Sequence, residues 1–439
     1  MNKKQIIELA KTILAKLQKR NGLKVYDNHE VVIHFRRNVY HFTVYQLYFS
    51  IALVLKNFHS IPQNYLEYYI RSVVAKNTAG PTKIQLEIMG EMLKGFHSHK
   101  TLMAGGSMAE TFLIKRNDKN IIIKKATGLP SRKLSNELNF LIKLSNNHKI
   151  ATHIPEILDF KRNNQSILVV LRYYPANTLA HEILFGKIDK KRAWERVEEV
   201  LDFVMSNLWT TEKSTKTENY INSYFLQRIR KSIDSLIKKA PTLSRLAMAD
   251  KVIINGSTYL NLLKIVDVVE KDKELIKMLT PPFICNIWGD LHPNNILLAK
   301  NNFILIDPRG DLGDPIYDLG KMYHTFGPGR YDFVDNDLYD VMLEDKNGIP
   351  VIKRKFLTEH PSWVIYDFLQ RKFENNIEKF VLPGDIFWKL RWDFLNFCIY
   401  STMPPFLVGR EPMEERAIMG YSNALIFGKR FLKSLKERI

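Results

Sequence analysis

The sequence predicts an α+β protein of two lobes. A small β-rich lobe spans 100–175, a large helical lobe spans 176–439, and a basic, mostly helical extension covers 1–99. Three observations predict it. Strand-like apolar runs crowd into 111–171, helix-period patterns dominate from Asp189 onward, and a short β-rich core at 283–307 interrupts those helices with loops rich in Asp and Asn.

In the extension, Ile6, Ile7, Ala10, Ile13, Leu14 and Leu17 recur at helical spacing up to Asn21-Gly22. A strand is expected at 31–35, and Thr78-Ala79-Gly80-Pro81 breaks the chain before a short helix at 85–96. Gly105-Gly106-Ser107 then leads into a β-hairpin, with strands at 111–114 and 121–125 joined by the turn Asn117-Asp118-Lys119-Asn120. Helical periodicity follows at 134–144, and the continuous apolar run 166–171 reads as a buried strand. Helices are expected at 191–208, 218–239 and 260–279, and the chain from Asp318 to its end reads as helical and aromatic-rich.

Composition narrows the function classes. The 439 residues include 25 Phe, 19 Tyr and 6 Trp, too much apolar surface for a disordered chain. Cys285 and Cys398 are too few for a disulfide scaffold or a Cys-rich zinc module and fit a reducing compartment. The longest apolar stretch, 42–55, is broken by Gln46 and falls short of the ~20 residues a spanning helix needs. Glu8, Lys11 and Lys16 interrupt any signal-peptide core, so the expectation is a cytoplasmic protein without membrane insertion. The formal charge is +19, and residues 1–100 hold 15 basic against 6 acidic side chains. Such a region could meet nucleic acid, an anionic membrane surface or phosphorylated ligands. No recognised nucleic-acid motif accompanies the charge, so solvated lysine-rich faces are the preferred reading.

The chemistry concentrates in Trp288-Gly289-Asp290-Leu291-His292-Pro293-Asn294-Asn295 and in Ile306-Asp307-Pro308-Arg309-Gly310. An apolar strand delivers Asp290 into a polar loop, Asn295 follows five residues later, and a hydrophobic hairpin delivers Asp307. Asp and Asn offer the hard oxygens that Mg²⁺ takes, and a separate carboxylate can receive a hydroxyl proton. Phosphoryl transfer needs that division of labour.

These residues resemble the aminoglycoside phosphotransferase and choline kinase branch of the protein-kinase-like fold. Gly289, Asp290 and Asn295 match its H-G-D-x-x-x-x-N catalytic loop, Asp307 matches its metal aspartate, and Gly313-Asp314-Pro315-Ile316-Tyr317-Asp318-Leu319 matches its G-D-P-x-x-D-L. The resemblance implies a bilobal kinase-like fold over 100–439 and an ATP- and Mg²⁺-dependent small-molecule kinase. Asp290 would be the base, and Asn295 and Asp307 the metal ligands. Lys124, in a V-A-I-K-like strand, would place the phosphates with Glu137. Gly105, Gly106 and Ser107 would approach phosphate, and the backbone around Tyr173 would meet the adenine. Asp318 is read as a support for the catalytic-loop backbone, with Asp314 doing similar work, and His292 as loop packing. One departure is Trp288 where the family has His, so the bond that His makes to the metal-aspartate strand must come from elsewhere. That departure keeps open a pseudokinase-like binding module working through its basic N-terminal region. A protein kinase or nucleotidyltransferase on the same fold is the other alternative, and the missing A-P-E signature counts against an ordinary protein kinase.

The acceptor the resemblance implies is a small molecule with a hydroxyl: a sugar, polyol, amino alcohol or aminoglycoside-like compound. The acidic run Asp332, Asp335, Asp337, Asp340, Glu344 and Asp345 would suit a cationic acceptor, or forms a solvated helix face. Arg309 favours phosphate or carboxylate instead. Phe387, Trp388, Trp392 and Phe394 could cage a quaternary ammonium, or form core.

Overall fold

A computed structural model describes residues 109–437 except 117–118, 164, 212, 300–301 and 409–413, together with strands at 24–25, 30–35, 38–43 and 100–102. In the extension, β1 (Lys24–Val25), β2 (Glu30–Phe35) and β3 (Asn38–Thr43) form an antiparallel sheet. The expected strand at 31–35 lies in β2. A second strand at 38–43 joins it, where β-branched and aromatic residues continue the run beyond Arg36-Arg37. The helices expected at 6–17 and 85–96 lie outside the described residues.

A five-stranded antiparallel sheet follows, in the order β4 (Lys100–Leu102), β5 (Glu110–Arg116), β6 (Lys119–Thr127), β8 (Ser166–Arg172), β7 (Ile157–Arg162). Side-chain parity sorts β6 into two faces. Ile121 and Ile123 pack with Phe112 and Ile114, whereas Ile122 and Ala126 pack with Leu134 and Leu138 of helix α1 (Leu129–Ser145). The i, i+3, i+4 spacing of Leu134, Glu137, Leu138 and Leu141 gives α1 its buried stripe. Lys124 shares the parity of Ile122 and Ala126, so it faces α1.

Beyond 176 the chain is mainly helical. Its longer helices are α2 (Lys190–Asn207), α3 (Gln227–Lys239), α4 (Leu262–Lys271), α5 (Pro315–Phe326), α6 (Trp363–Asn376), α7 (Trp388–Ser401) and α8 (Glu414–Lys436). One continuous apolar core runs from Phe140 and Leu144 of α1 to Leu435 of α8, so α1 joins the sheet to the helical body. Among the described residues no helix is long and apolar enough to cross a membrane.

The helical reading missed a four-stranded sheet, in the order β10 (Ser257–Leu260), β9 (Lys251–Ile254), β16 (Ile349–Phe356), β15 (Tyr339–Lys346). Each hairpin turns on an Asn-Gly pair with both residues at positive φ: Asn255-Gly256 at 47° and 83°, Asn347-Gly348 at 54° and 81°. That is the turn whose twist matches antiparallel strands. The expected helix at 260–279 therefore starts after β10, at Leu262, and Asp272 caps a second segment at Lys273–Leu279.

Candidate active site

Lys124 and Glu137 form a buried ion pair across the β6–α1 interface, and the Lys124 ammonium also meets Asp307 Oδ1 at 2.5 Å. Burial pulls the lysine's pKa down, but Asp307 and Glu137 outweigh it and hold the pKa above its usual value. The sheet, α1 and the catalytic segment thus converge on one charged group. Gly310 lets them approach: at φ 71°, a Cβ there would lie 2.9 Å from both the Asn136 carbonyl oxygen and Phe140 Cβ of α1.

Asp307 ends the hairpin of β12 (Ile296–Ala299) and β13 (Asn302–Leu305), whose pairing brings Ile296 opposite Leu305. It sits at φ 59°, a conformation uncommon outside glycine and often found where a side chain is held for a task. Asn295 is tied to the same strand, its carbonyl accepting the Ile306 N–H at 2.9 Å. The Asn295 Nδ2 donates to the Asp290 carbonyl at 2.9 Å. A carbonyl can only accept, so the amide nitrogen is fixed there and the amide oxygen is left for a cation.

Trp288 replaces the expected His and makes the missing bond itself. Its indole Nε1 donates to the Ile306 carbonyl at 3.1 Å, one residue before Asp307. Asp318, fully buried on α5, accepts the Trp288 and Gly289 N–H groups at 2.7 Å each and the Trp209 indole at 3.3 Å. It therefore holds the loop backbone from below. Asp314 does different work: it caps α5 through the Ile316 N–H and pairs with Arg391 at 2.6 Å.

Asp290 is flanked by two cations and a histidine that the sequence reading did not connect to it. Lys321 Nζ lies 2.7 Å from Asp290 Oδ1, Arg309 Nη2 lies 3.6 Å from the same oxygen, and His292 Nε2 lies 3.7 Å from Oδ2. Burial alone would raise this carboxyl, but Lys321, Arg309 and His292 hold it well below the usual range. His292 also packs edge-on against His324. Lys321 stands one turn after Tyr317 on α5, and the Tyr317 hydroxyl accepts from Arg309 Nη1 at 2.9 Å. The only cue for Lys321 was its place two residues after the D-L motif, on a helix whose buried face could be anticipated.

The other candidates fall into place or out of it. Tyr173, half-buried, follows the end of β8. Gly105, Gly106 and Ser107 lie outside the described residues. The acidic run does not form one helix face: Asp332 and Asp335 lie on a short helix, and Asp340, Glu344 and Asp345 lie on β15, where Asp340 and Asp345 are exposed. Asp332 is buried and accepts from Tyr366 and Asn294, and Asp337 pairs with Arg416. Asp335 lies 3.9 Å from Arg416, Asp340 pairs with Lys355, Glu344 with Lys353 and Asp345 with Arg245. Of the aromatic stripe, Phe394 is fully buried core, whereas Phe387, Trp388 and Trp392 are half-buried, Trp392 stacking with Phe373 and lining with Trp388 a cleft beside Glu374, Glu378 and Asp393.

Among the described residues no group of three or more His, Cys, Asp or Glu could hold a metal. The donors at the site are one carboxylate, Asp307, and one amide oxygen, Asn295. That set fits Mg²⁺, which commonly binds one or two protein oxygens and completes its shell with phosphates and water.

Neither a family model nor a curated protein matches this chain. Solved structures similar to it include a putative fructosamine-3-kinase from Haemophilus somnus 129PT, at TM-score 0.42 and 9% identity, covering 79% of this chain and 96% of that one. Aminoglycoside phosphotransferase APH(4)-Ia matches at 0.40 and 9%, covering 78% and 98%. An aminoglycoside-3'-phosphotransferase of type VIII matches at 0.38 and 11%, covering 73% and 98%. Likeness at these identities says nothing about what this chain acts on.

Proposed function

We propose that the chain is an ATP- and Mg²⁺-dependent phosphotransferase that moves the γ-phosphoryl group to a hydroxyl of a small molecule. The observation that carries this reading is the convergence of Lys124, Glu137 and Asp307 beside the loop of Asp290 and Asn295. Lys124, oriented by Glu137, places phosphate oxygens. Asp307 and Asn295 would hold Mg²⁺, which when bound neutralises charge on the phosphates. Asp290 faces the acceptor. Its depressed pKa makes it a weak base, so its first role is to orient the hydroxyl by accepting its hydrogen bond. It takes the proton late, once bonding to phosphorus has acidified that hydroxyl.

Thermal unfolding of the full chain with ATP, with and without Mg²⁺, tests the nucleotide part, and phosphoryl transfer to a panel of sugars, polyols, amino alcohols and aminoglycosides tests the rest. Mg²⁺-dependent stabilisation that Lys124→Met removes is expected. A folded protein that shows no Mg²⁺-dependent response to ATP would end this reading.

A further inference from the structure

Two cations share one carboxylate beside the proposed acceptor hydroxyl. The Lys321 side chain is 9% exposed and that of Arg309 22%, and both point at Asp290 Oδ1. Of the other nearby acids, Asp314 pairs with Arg391, whereas Asp311 accepts from the Tyr224 hydroxyl and Asp318 from backbone N–H groups, and neither lies within ion-pair distance of Arg309 or Lys321. Within ion-pair distance, both cations meet the single carboxylate of Asp290, which can neutralise only one of them, and a poorly compensated buried charge is costly. A cationic acceptor would add to that cost.

We propose that the acceptor carries an oxyanion, a phosphate or a carboxylate, that Arg309 and Lys321 receive beside Asp290. This rests on the phosphotransferase reading and sets its substrate class. Arg309 supplies a planar fork suited to two oxygens, its position fixed by Tyr317. Lys321 supplies a point charge from the rigid, wholly buried helix α5. The oxyanion docks on the cations, and the hydroxyl of the same molecule lies against Asp290.

The test is calorimetric binding of orthophosphate to the full chain already saturated with Mg²⁺ and adenylyl imidodiphosphate, whose γ-phosphoryl occupies the nucleotide's own site. Orthophosphate should still bind. Arg309→Gln and Lys321→Gln should each weaken that binding about tenfold or more, whereas Lys353→Gln, on the exposed β15–β16 hairpin, should not. A second measurement stands if a variant misfolds. In the unmodified protein, phosphoryl transfer should favour glucose 6-phosphate or glucuronate over glucose by about tenfold, and kanamycin should not be phosphorylated. The phosphate and carboxylate arms decide which oxyanion is preferred. Orthophosphate that binds only without the analogue would assign the two cations to the γ-phosphate and overturn the inference. So would no orthophosphate binding, full binding in both variants, or turnover of kanamycin. In those cases the phosphotransferase reading stands. Failure of the analogue itself to bind would instead overturn that reading, and the inference with it.

Discussion

Asp318→Asn tests how the catalytic loop is held. Asp318 is fully buried, and its carboxyl is pushed up to about 6, first by burial and against the pull of the Trp288, Gly289 and Trp209 donors. In the unfolded chain the same group releases its proton near 3.8. A carboxyl raised in the fold adds stability while it is protonated there, so its contribution grows as pH falls below about 6 and is lost as pH rises through 6. Linkage then gives a gain of about 1 kcal/mol on going from pH 8 to pH 5, and about 2 kcal/mol by pH 4. Asn has no proton to bind and lacks this dependence. At pH 8 the substitution takes an acceptor from the loop N–H groups but also removes a buried charge, so the two proteins should lie within about 2 kcal/mol. Urea unfolding of both proteins at pH 8 and pH 5 measures the difference. It should move by about 1 kcal/mol in favour of the wild type at the lower pH. A difference that stays constant, or moves the other way, would mean that Asp318 remains ionised in the fold, and the burial argument would fail.

Trp288→Phe keeps a ring but removes the donor to the Ile306 carbonyl; a cost of about 1–3 kcal/mol in chemical denaturation is expected, with turnover falling because Asp307 follows that carbonyl. Gly310→Ala adds a Cβ against α1 at a positive φ and should cost about 1–3 kcal/mol while weakening nucleotide binding, read by calorimetry. His360 is buried and its pKa is lowered by that burial to about 4, so its neutral form adds stability above its usual value of 6.5 that disappears as pH falls towards 4. The stability gap between wild type and His360→Gln, followed by urea titration, should therefore shrink between pH 6.5 and pH 4.

The small lobe and the catalytic centre were legible because their signals are local. Alternation along 121–125 placed Lys124 on the α1 face and Lys125 on the other, and the apolar stripe of α1 carried Glu137 to meet it. The loop from Gly289 to Asn295 was picked out by residue type and spacing, and Asn295 Nδ2 closes it by donating to the Asp290 carbonyl. The extra sheet of the helical body was half legible. Asn255-Gly256 and Asn347-Gly348 announce hairpins, but the first lies between the helices expected at 218–239 and 260–279, and the second lies in the stretch after Asp318 read as helical. The parallel pairing of β9 with β16, Val351 opposite Ile253, joins segments that nothing local connects. Apart from Lys124 and Glu137, charge partners were not legible. The sequence offered an acidic run and a lone Arg309, and the fold decided which acids meet Arg416, Lys353 and Lys355 and which cations reach Asp290.

The central claim is that Asp290 and Asp307 divide the labour between acceptor and metal. ATP binding measured by calorimetry with and without Mg²⁺, in Asp290→Asn and Asp307→Asn, tests it most directly. Asp307→Asn should lose the Mg²⁺-dependent part of the affinity. Asp290→Asn should keep that part nearly intact, and its ATP turnover at saturation should fall by roughly 10²-fold or more. If Asp290→Asn abolishes Mg·ATP binding in a folded protein, or Asp307→Asn leaves it unchanged, the division of labour is wrong.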